Sequence, residues 1–251
     1  LAAAREERSG EDWRDSAVTL AEMRNYLGEL APAEALLREV IATPAPPAHA
    51  FAVLADVLHS GGRYGEALLQ ARAAVAAAAQ SAPFQCTLGM VLRDLGKFDE
   101  ARTVIGRAID LESARNGTAA IAIATCLEHL GVLELQAGSI DAADTALHRA
   151  AQLRAMALGD GWSGMVWSHH WIALVHQARG DLAAAEPLLV RAVDNYRSRL
   201  GAGGHLLAYA HGDLGWLRLA QGRDAEAVAL FDAAVDGLDT LSNGMHPRLA
   251  E

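Results

Sequence analysis

The stretch FAVLADVLHSGGRYGEALLQARAAV, residues 51–75, decides the fold. Two apolar runs with helical spacing flank the pair Gly61–Gly62. A glycine there can take the left-handed conformation that ends a first helix and lets a second begin. Ala55, seven residues before Gly62, and Ala67, five after it, are small where two helix axes would cross closely. A larger side chain at either would overpack the crossing. The segment reads as a helix–turn–helix unit.

The same register recurs along the chain. Gly28, Gly62, Gly96, Gly138, Gly180 and Gly222 lie 34, 34, 42, 42 and 42 residues apart. Five residues after each comes an alanine: Ala33, Ala67, Ala101, Ala143, Ala185 and Ala227. Seven before each is a small residue: Ala21, Ala55, Gly89, Gly131, Ala173 and Gly215. Six copies in one register predict an array, since no helix pair can bury its apolar face alone and neighbours must stack. In the longer copies the extra eight residues are expected to lengthen the helices, because ALHRAAQLRAMALGD (146–160) continues the helical period.

Composition agrees with an all-α chain. Of 251 residues 52% are hydrophobic but only 5% aromatic, so alanine and leucine supply most apolar surface. That mix suits close helix packing and suits strands poorly. A net charge of −10 argues against a nucleic-acid partner, whose phosphates need a basic face. No apolar run approaches the roughly 18–20 residues of a membrane span. Cys86 and Cys126 lack metal-type spacing and read as two buried free thiols, which fits a reducing, cytoplasmic setting. Lys97 is the sole lysine beside an arginine and alanine excess, pointing to a GC-rich bacterial source. The chain starts at Leu1 and stops at MHPRLAE. It is read as an excised piece, with 1–11 the tail of a preceding helix and 246–251 the start of a following one.

These units resemble tetratricopeptide repeats. FAVLADVLHSGGRYGEALLQARAAV and CTLGMVLRDLGKFDEARTVIGRAI (86–109) match the family pattern closely. The 42-residue copies, such as LGVLELQAGSIDAADTALHRAAQL (130–153), are similar to those of kinesin light chains and bacterial signalling proteins. Their linkers, LGDGWS, LGAGGH and LSNGMHP, are a loosened form of the family's. The resemblance implies a right-handed superhelical solenoid of six repeats, at about 14–47, 48–81, 82–123, 124–165, 166–207 and 208–245. It implies first helices lining a concave groove, and a protein or peptide as the ligand.

Groove positions carried over from the family give the candidate site. The fifth and sixth repeats offer Trp167, His170, Trp171, Tyr209, Asp213 and Trp216. Earlier repeats offer Glu22, Asn25, Asp56, His59, Arg93 and Glu128. The aromatics could form one wall, or some could be buried between lengthened helices. Aromatic anchors would dominate affinity, while solvated acidic groups would tune association. His169 and His176 fall at packing positions, so MVWSHHWIALVHQARG (165–180) does not converge three histidines on a metal. Family members that clamp a terminal carboxylate use lysine and asparagine at groove positions; position 5 here holds Val18, Ala52, Cys86, Glu128, His170 and Gly212, so that clamp is absent. With no phosphate loop, nucleophile elbow, cofactor or metal motif, the chain reads as non-enzymatic. The expected role is a binding segment of a larger bacterial signalling, regulatory or assembly protein, monomeric as a piece. A ligand-gated sensor for a short peptide or small molecule, and the targeting arm of an enzyme, are the alternatives.

Overall fold

The computed structural model describes residues 12–114, 120–158, 165–200 and 205–242. The proposed end segments 1–11 and 246–251 lie outside them, as does most of each long linker. The described residues form twelve helices and no strand: α1 Asp12–Tyr26, α2 Leu30–Ile41, α3 Ala48–Ser60, α4 Tyr64–Ala77, α5 Ala82–Asp94, α6 Phe98–Ser113, α7 Ala120–Gln136, α8 Ile140–Leu158, α9 Met165–Ala178, α10 Leu182–Leu200, α11 His205–Ala220 and α12 Asp224–Ser242. Consecutive helices pack as antiparallel pairs, and successive pairs stack into a solenoid.

The six register glycines have φ between 71° and 82°. Each closes the same turn. The amide of Gly62 donates to the His59 carbonyl at 2.9 Å, and that of Arg63 to the Leu58 carbonyl at 2.9 Å. This doubly bonded end satisfies carbonyls that a helix terminus would otherwise leave open. The same pair of bonds recurs at Gly28, Gly96, Gly138, Gly180 and Gly222.

Within each pair the crossing is built from small residues. Ala33, Ala67, Ala101, Ala143 and Ala185 are fully buried. Side-chain volume is traded across the crossing: Gly89, Gly131 and Gly215 face Ile105, Leu147 and Phe231. A Cβ on Gly131 would stand 2.5 Å from Leu147 Cγ, and one on Gly215 2.8 Å from Phe231. Their missing side chains are therefore filled by the neighbouring helix, and even alanine would force a shift.

Second helices lengthen as expected. α2 and α4 have 12 and 14 residues, whereas α8, α10 and α12 have 19 each. The period carries through to Leu158, and the remainder of that linker lies outside the described residues.

One feature corrects the sequence reading. Cys86 on α5 and Cys126 on α7 are bonded as a disulfide, not buried as free thiols. Both stand on first helices of adjacent repeats, which brings their Cα atoms to 5.5 Å. The argument for a reducing compartment falls with the free thiols. Along the turn edge, ion pairs link successive repeats: Arg63–Glu34 at 2.7 Å, Arg102–Glu134 at 2.6 Å, Arg179–Asp141 at 2.8 Å and Arg218–Glu186 at 2.5 Å. Among the described residues, no helix is long and apolar enough to cross a membrane.

Candidate functional site

The first helices α1, α3, α5, α7, α9 and α11 enclose one chamber of about 630 Å³. It is lined by Asn25, Asp56, His59, Arg93, Glu128, Trp167, His170, Trp171, Tyr209 and Asp213 among others. Groove positions taken from six separate repeats thus face one space. Two candidates do not line it. Glu22 is exposed on the rim, where His49 lies 2.9 Å from its carboxylate. Trp216 is 59% exposed and stands edge-on to Phe231, in an adjoining hollow that shares Tyr209 and Asp213 with the chamber.

On the C-terminal side, Trp167 and Trp171 are one helical turn apart and meet edge to face with centroids 5.6 Å apart. The His170 ring stacks on Trp171 at the same separation and tilts against Tyr196. Both tryptophans are half-buried and border the chamber rather than being sealed between helices. His170 is 2% exposed, and its Nε2 lies 2.8 Å from Asp213 Oδ2. Its Nδ1 and the Trp171 Nε1 are buried without a hydrogen-bond partner. His169 and His176 stay outside this space. His169 is half-buried, with its pKa lowered by burial and then by Arg191, and His176 lies 3.7 Å from Asp181. Among the described residues no three histidines, cysteines or acids are grouped as metal ligands would be.

The acidic groups are not the solvated face that sequence suggested. Asp94 of α5, not foreseen, accepts hydrogen bonds from Arg93 at 2.6 and 2.8 Å and lies 2.5 Å from His59. Burial would raise its pKa, but these partners hold it far below the usual carboxylate range. Glu128 is 2% exposed rather than open to the groove. Arg154, reaching in from α8, grips it with two nitrogens at 3.1 and 2.5 Å, and the Ser168 hydroxyl donates to it from α9. Burial still pushes its carboxyl above the ordinary value, against Arg154 and Ser168. His129, on the same wall, is pushed down to about 3 by burial and then by the Arg93 and His59 charges, so it is neutral at physiological pH.

Asp56 differs from both. Burial, then the nearby Glu22 charge, pushes its carboxyl up to about 7, with only a Thr87 hydrogen bond pulling the other way. Among the described residues no arginine or lysine is paired with it. The disulfide forms part of the same wall.

This arrangement matches known proteins at the level of fold. Two family models, each described as Tetratricopeptide repeat, match residues 86–155 and 164–239, together more than half of the chain. The chain belongs to the tetratricopeptide-repeat family. No curated protein is significantly similar in sequence. Among solved structures, BtubC (BKLC) from P. vanneervenii is 20% identical with a TM-score of 0.55, over 93% of this chain and 94% of that one. A Rap protein complexed with Competence and Sporulation Factor is 12% identical, with a TM-score of 0.72 over 97% of this chain and 70% of that one. A putative kinesin light chain of Podosopora anserina is 18% identical, with a TM-score of 0.51 over 78% and 98%.

Proposed function

We propose that the chain is a peptide-binding scaffold whose ligand enters the chamber lined by α1, α3, α5, α7, α9 and α11. The observation that carries this reading is the aromatic corner of Trp167, Trp171 and Tyr209 beside the buried, unmet Nδ1 of His170 and Nε1 of Trp171. Apolar faces with a few convergent polar atoms are what an orienting ligand site needs, and a buried polar atom without a partner is costly until a ligand supplies one. The scaffold serves a larger bacterial signalling, regulatory or assembly protein, and carries no catalysis of its own.

The placing of lining residues from all six repeats around one partly open chamber favours a second, related reading, a sensor that closes around a short peptide. The likeness to a Rap protein solved with Competence and Sporulation Factor supports it by analogy of fold. The reading is tested by calorimetry with a peptide obtained by pull-down. Trp167→Ala with Tyr209→Ala should weaken binding by roughly 100-fold or more, since two aromatic anchors are removed. Full affinity in a variant that keeps its helical circular dichroism would move the site out of the chamber. A fall in radius of gyration on adding the peptide would mark the sensor.

A further inference from the structure

Four carboxylates line the chamber: Asp56, Asp94, Glu128 and Asp213. Two are tied, Asp94 to Arg93 and His59, and Glu128 to Arg154 and Ser168. Arg93 is thereby also committed, since both of its bonds go to Asp94. Asp56 has a hydroxyl and a like charge for neighbours. Asp213 has the His170 ring, and its side chain is 29% exposed. These two come from the second and sixth repeats, so each wall of the chamber carries an acid that, among the described residues, no arginine or lysine meets.

Two of the unmet polar atoms point the same way, while a third, the Trp171 Nε1–H, asks for one acceptor such as a peptide carbonyl. With His170 Nε2–H donating to Asp213, its Nδ1 is left as an acceptor in a ring that is 2% exposed. Asn25 Oδ1 is a second buried acceptor without a partner. Two carboxylates and two lone acceptors call for a ligand rich in N–H donors. Ammonium and guanidinium groups donate only, and they are also attracted to the faces of tryptophan and tyrosine.

We propose that the chamber takes a short ligand with two cationic groups, one meeting Asp213 beside Trp167 and Trp171 and the other meeting Asp56, with an apolar segment between them. This rests on the peptide-binding reading and gives that peptide its chemistry: a basic side chain paired with a second one or with a free amino terminus. An anionic peptide would meet two unmatched acids and no free arginine. The raised Asp56 carboxyl is that of an acid awaiting a cation, so binding tightens with rising pH and releases a proton.

The test uses the folded chain against random heptapeptides displayed on phage, with selected peptides titrated by calorimetry, and 1,6-diaminohexane titrated separately by tryptophan fluorescence. Selected peptides should carry two basic groups flanking an apolar or aromatic residue. Asp213→Asn and Asp56→Asn, isosteric and folded by circular dichroism, should each weaken them by roughly tenfold or more. Neutral or acidic peptides that lose affinity in the Trp167→Ala, Tyr209→Ala variant but ignore both asparagine variants would overturn this inference and leave the peptide reading standing. Diaminohexane binding that needs both aspartates, with no peptide selected, would keep the dicationic ligand and overturn the peptide reading. Binding of neither probe overturns both.

Discussion

On the wall built by α3 and α5, Asp94 takes hydrogen bonds from an arginine beside it and a histidine one repeat away, and Cys86 is bonded onward to α7. On the wall built by α9 and α11, His170 has one polar partner on the next repeat, and Trp171 Nε1 has none. Both walls are built from the first helices of their repeats, with small residues at equivalent positions holding the crossings behind them. The first wall meets its buried charges internally and is stapled. The second leaves polar atoms to be met from outside and fills the remaining space with rings. A repeat fold thus keeps its backbone constant and assigns rigidity and recognition to different repeats by side chains at equivalent positions. Asp56 is the exception on the stapled wall, and it gives the first way to break the contrast.

Asp56 titrates near 7 in the folded chain against an ordinary 3.8. A folded pKa above the unfolded one means the folded chain binds the proton more tightly. That contribution to stability is complete below about pH 4 and is lost as pH rises through 7. Asp56→Asn removes the loss. Urea melts of the two proteins should coincide near pH 4 and diverge above it, the variant gaining up to about 4 kcal/mol by pH 8. Glu22 on α1 and His59 on α3 lie nearby, so the comparison is always variant against parent at one pH. A difference that does not change with pH would show Asp56 already matched, and the stapled wall would then have no open acid.

The fold was legible because its evidence repeats. A glycine with positive φ, a small residue before it and an alanine after it are local demands met six times, so error in one copy is corrected by the others. Groove positions follow from the same register, which is why residues as far apart as Asn25 and Asp213 can be grouped from sequence. What register cannot show is a group reaching in from behind the groove. Arg154 belongs to a second helix, and its grip on Glu128 turns a candidate ligand contact into a buried pair. Asp94 stands on a first helix but outside the family's groove positions, so register alone does not mark it as the partner of Arg93 and His59. The disulfide had a visible signal: both cysteines stand on first helices, 40 residues apart where the repeat spacing is 42. That places them within about half a helical turn of register on neighbouring repeats.

The staple gives the second test. Replacing Cys86 and Cys126 together with alanine should destabilise by about 2–4 kcal/mol, because the unfolded chain regains the freedom of the closed loop. The loss should appear in denaturant melts and be matched by the parent protein under reductant. Tryptophan emission, which reports mainly on the other wall, should hold its native position before the transition. A parent whose melt ignores reductant would mean the pair stays open in solution, and the two walls would then be equally free to move.

The smallest expected effect separates the walls most directly. Ala101 and Ala185 are both fully buried at equivalent crossings, the first behind α5 and the second behind α9. Leucine at either should overpack by roughly 1–3 kcal/mol. Equal cost does not imply equal consequence. In a stack where each repeat touches only its neighbours, strain spreads to adjoining repeats and fades beyond them. Ala101→Leu should therefore raise amide exchange in α3 to α8 while Trp167 and Trp171 keep their parent emission. Ala185→Leu should raise exchange in α7 to α12, shift that emission, and leave α3 and α4 protected. Exchange rising uniformly along the chain in both variants would show that the solenoid opens as one unit. The rigidity of one wall would then be shared with the other, and the division between them would be one of chemistry alone.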